Sequence, residues 1–184
     1  TMQSITSPNK VLKFWFEDTE AKFWFKKSQA FDASIREYFE FTIQAAHGGQ
    51  LHSWANHVEG CVALILILDQ FTRNIYRNTP AAFAGDTQAL ELSLDCVKRH
   101  WIGHKNPDYR HFMLMPMMHS EDLAIQDRAL PLFKEHTDER THAIAVKHHG
   151  IIARFGRYPH RNAILGRKSS DEEIKFLQEP GSSF

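Results

Sequence analysis

The segment Leu64 to Arg77, LILILDQFTRNIYR, constrains the fold more than any other part of the chain. A helix that is apolar on every side has no face to give to water, so other elements must surround it. The run Cys61 to Leu68 is of that kind, yet it gives way at once to Asp69, Gln70, Arg73, Asn74 and Arg77. On a helical wheel at about 100° per residue, with Asp69 at zero, Arg73, Arg77, Gln70 and Asn74 fall at roughly 40°, 80°, 100° and 140°. Val62, Ala63, Leu66 and Ile67 share that face upstream. Two explanations fit an apolar face that turns polar. Either the helix emerges into water, with Asp69 and Arg73 as an i, i+4 pair, or it ends in a cavity where Asp69 orients the Arg73 guanidinium. A hydrated face more typically carries Lys and Glu, whereas Asn, Gln and Arg make directional, multi-donor contacts.

The surroundings read as helix throughout. Sustained period-two alternation is absent, and no Asn-Gly or Asp-Gly joins two apolar runs. Ser7-Pro8 reads as a cap with proline at the first helical position, opening a helix through Phe16. Phe31, Ile35, Tyr38, Phe39, Thr42 and Ile43 recur at three- and four-residue steps, and Gly48-Gly49 supplies the stop. The central helix runs from about Gly60 to Arg77, and Asp86 is expected to cap the next. Pro107 starts another, with Pro116 bending or ending it. Ser120 is expected to cap a helix to His136, and Asp138 one to Phe155. Ser170 and Glu173 have capping-box spacing, and Pro180-Gly181 ends that last helix. The expectation is a single all-α domain over residues 1–184, with seven to eight helices in stacked antiparallel hairpins. No 34-residue repeat of the tetratricopeptide kind is visible.

Composition limits the function classes. Lys plus Arg equals Asp plus Glu at 22 each, so no global field gathers nucleic acid or an anionic membrane, and any anion site is local. At 42% apolar residues with fourteen Phe, the chain can fill a core. Cys61 and Cys96 sit in apolar helical patterns, as thiols do in a reducing cytosol. TMQSITSPNK lacks the basic-then-apolar order of a leader, and Cys61 to Leu68 is too short for a membrane span. A soluble cytoplasmic protein is expected.

Two further stretches carry candidate chemistry. In MHSEDLAIQ, His119, Glu121 and Asp122 surround a helix start. Ser120 as cap, with Glu121 and Asp122 complementing the helix dipole, explains them structurally. His119 with Glu121 or Asp122 as metal ligands or an acid/base pair is the functional alternative. In KHHGIIARFGRYPHRN, His148 lies midway across the apolar face of Ile144, Ala145, Ile151, Ile152 and Phe155. That is the setting of a core histidine bonded to a neighbour. Arg154 and Arg157 point away from it. The Pro159 turn carries His160, Arg161 and Asn162, which together with Arg73 would clamp a carboxylate or phosphate, or would satisfy helix-end carbonyls.

Zinc-helix, Cys-x-x-Cys, Walker, Rossmann and Gly-x-Ser-x-Gly patterns are all missing from the sequence. No metal site is expected, and the cofactor stays open. FWF, LILDQFTRNIYR, MHSEDLAIQ, RFGRYPHRN, LGR and PGSSF, in that order, resemble the bacterial family known as domain of unknown function 924. The resemblance implies an all-helical, tetratricopeptide-like superhelical fold and no settled activity. It places Asp69, Gln70, Arg73, Asn74, His119, Ser120, Glu121, Asp122, His148, Arg154, His160, Arg161 and Asn162 on the family's motifs. Thr72 stands where proline is common, which relaxes the central helix. His149-Gly150 replaces a more usual Arg-Asp, which counts against a role for His149.

Three readings follow. The first is a helical binding module taking a small anionic ligand or peptide carboxylate through Asp69, Gln70, Arg73, Asn74, Glu121, His148, Arg161 and Asn162. The second is a hydrolase or lyase with His119 or His160 as base, Asp122 or Glu121 orienting it, and Arg73 stabilising negative charge. The third is a buried polar network that fixes helix register without any ligand.

Overall fold

Ser7 accepts a hydrogen bond from Lys10 N and Pro8 opens α1 (Pro8–Leu12), which runs on as a π-helical stretch over Lys13–Asp18. The computed structural model describes residues 4–184; of the N-terminal stretch read above, Thr1, Met2 and Gln3 lie outside them. Ser28 caps α2 (Gln29–His47), which stops at Gly48. Then α3 (Val58–Ile65), a π-helical stretch (Leu66–Phe71) and α4 (Thr72–Ile75) form one column, buried at every residue from Gly60 to Thr72. After it come α5 (Asp86–Lys98), α6 (Pro107–Met118), α7 (Leu123–His136), α8 (Glu139–Phe155), α9 (Asn162–Leu165) and α10 (Asp171–Phe176). Among the described residues there is no strand, and no helix is long and apolar enough to cross a membrane.

The all-round apolarity of the central column is explained by its neighbours. The α3 helix packs against α1, α5 and α6, while α5 packs on α6, α6 on α7 and α7 on α8. Trp15 on the α1 column lies 5.6 Å from both Phe71 and Phe112, tying three columns together through fully buried rings. Each such side chain contributes about 1.5–3 kcal/mol by leaving water. The π-helical stretch interrupts the regular wheel at Asp69 itself, and insertions of this kind often mark functional positions. At its end the Thr72 hydroxyl donates 2.9 Å back to Leu68 O, a local bond that bends helices.

Gly85 sets where α5 begins. A Cβ at this position would lie 2.3 Å from Leu68 O, so only glycine lets the start of α5 press against the π-helical stretch. Gly85, not Asp86, is the N-cap; Asp86 is the first helical residue, and its carboxylate reaches Arg73. The expected cap at Ser120 moves in the same way. Asp122 caps α7 by accepting from Ala124 N, and Ser120 Oγ accepts from Asp122 N one step earlier. Pro116 does not end α6, which continues to Met118 while Ser93 Oγ donates to Met113 O beside the proline turn. The capping box at Ser170 and Glu173 forms with both of its bonds.

Candidate functional site

Three helices and one turn enclose a cavity of about 640 Å³. The α3–α4 column lends Gln70, Arg73, Asn74 and, just beyond it, Arg77. From α6 come His111, Met115, Met118 and, at its C-cap, His119; from α8 come Arg140, Thr141, Ile144 and His148. Within each set successive members are three or four residues apart, with one adjacent pair, the signature of a single helix face. The turn Pro159–Arg161 adds His160 and Arg161, and Phe83 and Phe184 supply rings.

Charge is distributed unevenly around this space. Lys26, Lys27, Arg73, Arg77, Arg140 and Arg161 line it, and among the described residues no Asp or Glu does. The balancing carboxylates stand behind the wall. Asp86 holds Arg73 by a fork of 2.7 and 3.0 Å, and Arg73 Nη1 also donates to Asp69 O at 2.8 Å. Asp32 holds Arg77 by two bonds of 3.0 Å and takes a third, 2.9 Å, from Asn74. Planar bidentate pairing fixes guanidinium direction as well as charge. Arg161 is only 5% exposed, yet its Nη1 is 3.9 Å from both Asp86 and Glu121, and its Nε has no hydrogen-bond partner among the described residues. Burial and the neighbouring Arg73 charge lower its proton affinity.

His119 occupies the C-terminal end of α6, where backbone carbonyls lack intrahelical partners. Side chains from elsewhere satisfy them. Gln126 Nε2 donates to Met118 O at 2.9 Å and to Ser120 O at 2.8 Å, Tyr158 Oη donates to Met118 O, and Arg161 Nη2 donates to His119 O at 2.9 Å. The helix can thus end inside the protein with His119 fixed at the wall. Its Nδ1 lies 2.7 Å from Asp69 Oδ1. Asp69 is fully buried and also accepts from Gln70 Nε2 at 2.8 Å. Burial alone would raise its carboxyl, but the His119 and Arg73 charges and these hydrogen bonds outweigh that and hold it at about 2. An ionised carboxylate only accepts, so the proton in the Asp69–His119 bond is on Nδ1. Burial, then the Arg73 charge, lowers the affinity of His119 for a second proton. Its Nε2 has no partner among the described residues.

His148 and His160 face the same space. His148 Nδ1 is 2.8 Å from Ile144 O, the core-histidine arrangement its position on α8 predicts, and its ring centroid lies 4.0 Å from that of Phe184, the planes tilted by 55°. His160 Nδ1 is buried without a hydrogen-bond partner among the described residues. Burial pushes both imidazoles down to about 4.

The residues singled out from sequence separate into two groups. Gln70, Arg73, Asn74, His119, His148, His160 and Arg161 converge on the cavity, with Asp69 directly behind His119. Glu121, Asp122 and Asn162 do not line it. Glu121 is not spent on the α7 dipole; it forks with Arg167 at 2.9 and 3.1 Å and accepts from Tyr158 N at 2.6 Å. Asp122 is exposed and occupied as a cap, so Asp69 takes the orienting place beside His119. Asn162 is buried against Glu173 and Ser169, because the chain turns at Arg161 and aims the two side chains apart. Arg154 rests on the Phe155 and Phe176 rings, and His149 pairs with exposed Asp127. Sequence reasoning missed Asp86, Phe83, Arg140 and His111. His111 was detectable, since His111, Met115, Met118 and His119 follow a helical face; Asp86 had no such signal. Among the described residues no group of three or more His, Cys, Asp or Glu could hold a metal ion.

A family model described as a bacterial protein of unknown function, DUF924, matches residues 11–181. A solved structure of a protein of unknown function, ATU0120 from Agrobacterium tumefaciens, is similar with a TM-score of 0.88 and 34% identity. The match covers 93% of this chain and 96% of that one. Among curated proteins, none matches the chain.

Proposed function

We propose, starting from the fact that the chain belongs to the bacterial family DUF924, that its cavity binds a small organic anion carrying a carboxylate or phosphate. The observation that carries this reading is the lining itself: among the described residues it holds six cationic side chains and no acidic one, and Arg161 Nη1 stands 3.9 Å from Asp86 and Glu121, beyond hydrogen-bond reach of either. A hydrogen bond from a charged donor of this kind to an arriving anion contributes about 1.5–3 kcal/mol. The volume of about 640 Å³ suits a small molecule. Met115, Met118, Ile144 and Phe83 give such a molecule's carbon skeleton an apolar wall. The guanidiniums are already oriented by Asp86 and Asp32, so little side-chain freedom is lost when an anion arrives. A network closed on itself would leave no such space, which weighs against a purely structural role.

Thermal shift and calorimetry with inorganic phosphate and with succinate test this. A ligand at a hundred times its Kd stabilises by about 2.7 kcal/mol, which for a chain of this size raises Tm by roughly 5–10 °C. Arg161→Met is expected to weaken binding at least about tenfold, or about 1.4 kcal/mol, and added salt to weaken it further. If neither anion shifts Tm, or if Arg161→Met binds as tightly as the parent, the reading is wrong.

A further inference from the structure

The pairing of Asp69 with His119 is more than an anion site requires. Phosphate or carboxylate recognition is served by the arginines alone. A buried carboxylate that fixes one tautomer of an imidazole, leaving the other ring nitrogen open to a ligand cavity, is the arrangement that general-base chemistry needs. The helix end that carries His119 is held by three side chains from outside α6, namely Gln126, Tyr158 and Arg161, so the ring does not wander. Asp69 is placed by the π-helical stretch and by Gln70 and Arg73.

We infer that the cavity is a hydrolytic site, in which His119 Nε2 takes a proton from water as that water attacks a carboxylic ester bearing a separate anionic group. The inference rests on the anion-binding reading above, and it names the substrate class. As the proton passes to Nε2, the water oxygen forms its bond to the acyl carbon and the carbonyl electron pair moves onto oxygen. Arg161 Nη1, on the guanidinium whose Nη2 holds His119 O and 3.9 Å from Asp86 and Glu121, beyond hydrogen-bond reach of either, is the donor available to that oxyanion. When the tetrahedral adduct collapses, the carbon–oxygen bond to the alcohol breaks and the alcohol oxygen takes the proton back from His119. One water is consumed, a carboxylic acid and an alcohol leave, and no oxidant or reductant takes part. Lys26, Lys27 and Arg140 on the exposed part of the lining receive the separate anionic group. Asp69 touches no substrate; it is a positioning residue that holds the Nδ1–H tautomer and stabilises the imidazolium formed in passing.

The probe is 4-nitrophenyl hemisuccinate, an activated ester with a free carboxylate, given to the full chain with nitrophenolate release followed. Expected is saturable release above the buffer rate, inhibited competitively by inorganic phosphate. His119→Asn keeps a donor where Nδ1 sits but has no Nε2, and is expected to lower kcat about a hundredfold or more while phosphate binds within about twofold of the parent. His119→Gln serves if that variant does not fold. Asp69→Asn is expected to lower kcat with little change in KM and to move the acidic limb of the pH–rate profile. That limb reports His119 among the charged and titratable groups facing it, Asp69, Arg73, Asp86, His111, His148 and Arg161. His149→Gln, outside the cavity, is the unchanged control. Phosphate binding without ester turnover, or turnover undiminished in both His119 variants, overturns the hydrolytic inference and leaves the anion site standing. Absence of binding by both phosphate and succinate removes both.

Discussion

Asp69 and His119 are fifty positions apart in the chain and 2.7 Å apart in the fold, one on the π-helical stretch of the central column and the other at the end of α6. The carboxylate is wholly buried and shared among His119, Gln70 and Arg73, so removing its charge leaves Asp86 as the one carboxylate held by Arg73 among the described residues and sets a neutral amide in place of the acceptor that His119 Nδ1–H uses. Breaking a buried pair from one side costs about 3–5 kcal/mol. Asp69→Asn is therefore expected to lower Tm by roughly 10 °C and to shift the denaturant midpoint without altering the m-value. A loss below about 1 kcal/mol would place this network in the range of exposed ion pairs and remove its structural importance.

Asp86 has opposite effects on stability and on binding. Its fork on Arg73 is partly buried, and a charged hydrogen bond of that kind contributes about 1.5–3 kcal/mol. Its negative charge also offsets Arg73 and, at 3.9 Å, Arg161. Asp86→Asn is expected to lower stability by about 1–2 kcal/mol and yet to tighten phosphate binding a few-fold, since the cavity becomes more positive. Chemical denaturation and calorimetry on one preparation read the two signs. Weaker phosphate binding would mean that Arg73 must be held in place by Asp86 for any anion to bind.

What could be read in the sequence was whatever a few neighbouring residues decide. Ser7-Pro8, Gly48 and the Ser170–Glu173 box act within one helical turn and appear as expected. The polar face from Gln70 to Arg77 was also visible, because helical spacing alone puts those side chains together. Misreadings arose where a local role and a distant partner competed for one residue. Asp86 has a cap's composition but lies against Arg73, thirteen residues back, because Gly85 closes on Leu68 O. Glu121 matches a helix-dipole position but is claimed by Arg167, forty-six residues on. Once Asp122 had taken the cap, nothing in its neighbourhood could have indicated that Asp69 would replace it beside His119.

Gly85 is expected to be intolerant for packing reasons and not conformational ones, since its φ of −89° suits any residue. The added methyl group of Gly85→Ala would meet Leu68 O at 2.3 Å, and that backbone belongs to the column that carries Asp69. Overpacking of this kind costs about 1–3 kcal/mol. Because α5 must retreat to relieve it, the Arg73–Asp86 fork should lengthen as well. Stability measured for Gly85→Ala in the Asp86→Asn background tests the coupling: the two losses should sum to more than the double variant shows. Full additivity would mean that the glycine and the fork are independent.

Acid should unfold this protein in two stages. Buried His148 and His160 are held at about 4, whereas an unfolded histidine titrates near about 6.5. Between those values the unfolded chain binds protons that the folded chain refuses, so stability falls as pH falls from about 6.5 to about 4, then levels once the folded imidazoles protonate. Each group contributes at most about 1.4 kcal/mol per pH unit, so the pair gives a slope of up to about 3. Asp69, held at about 2, acts lower: its contribution is complete above about 4 and is lost as pH drops through about 2. Stability measured by denaturation from pH 7 to 4 should show the first decline, and the double variant His148→Asn, His160→Asn should flatten it. Saturating phosphate should flatten it too, because an anion in the cavity makes imidazolium less costly there and binding then takes up protons, visible as a buffer-dependent enthalpy. An unchanged slope in the double variant would assign the acid sensitivity to other groups, the buried His119 and His111 first among them.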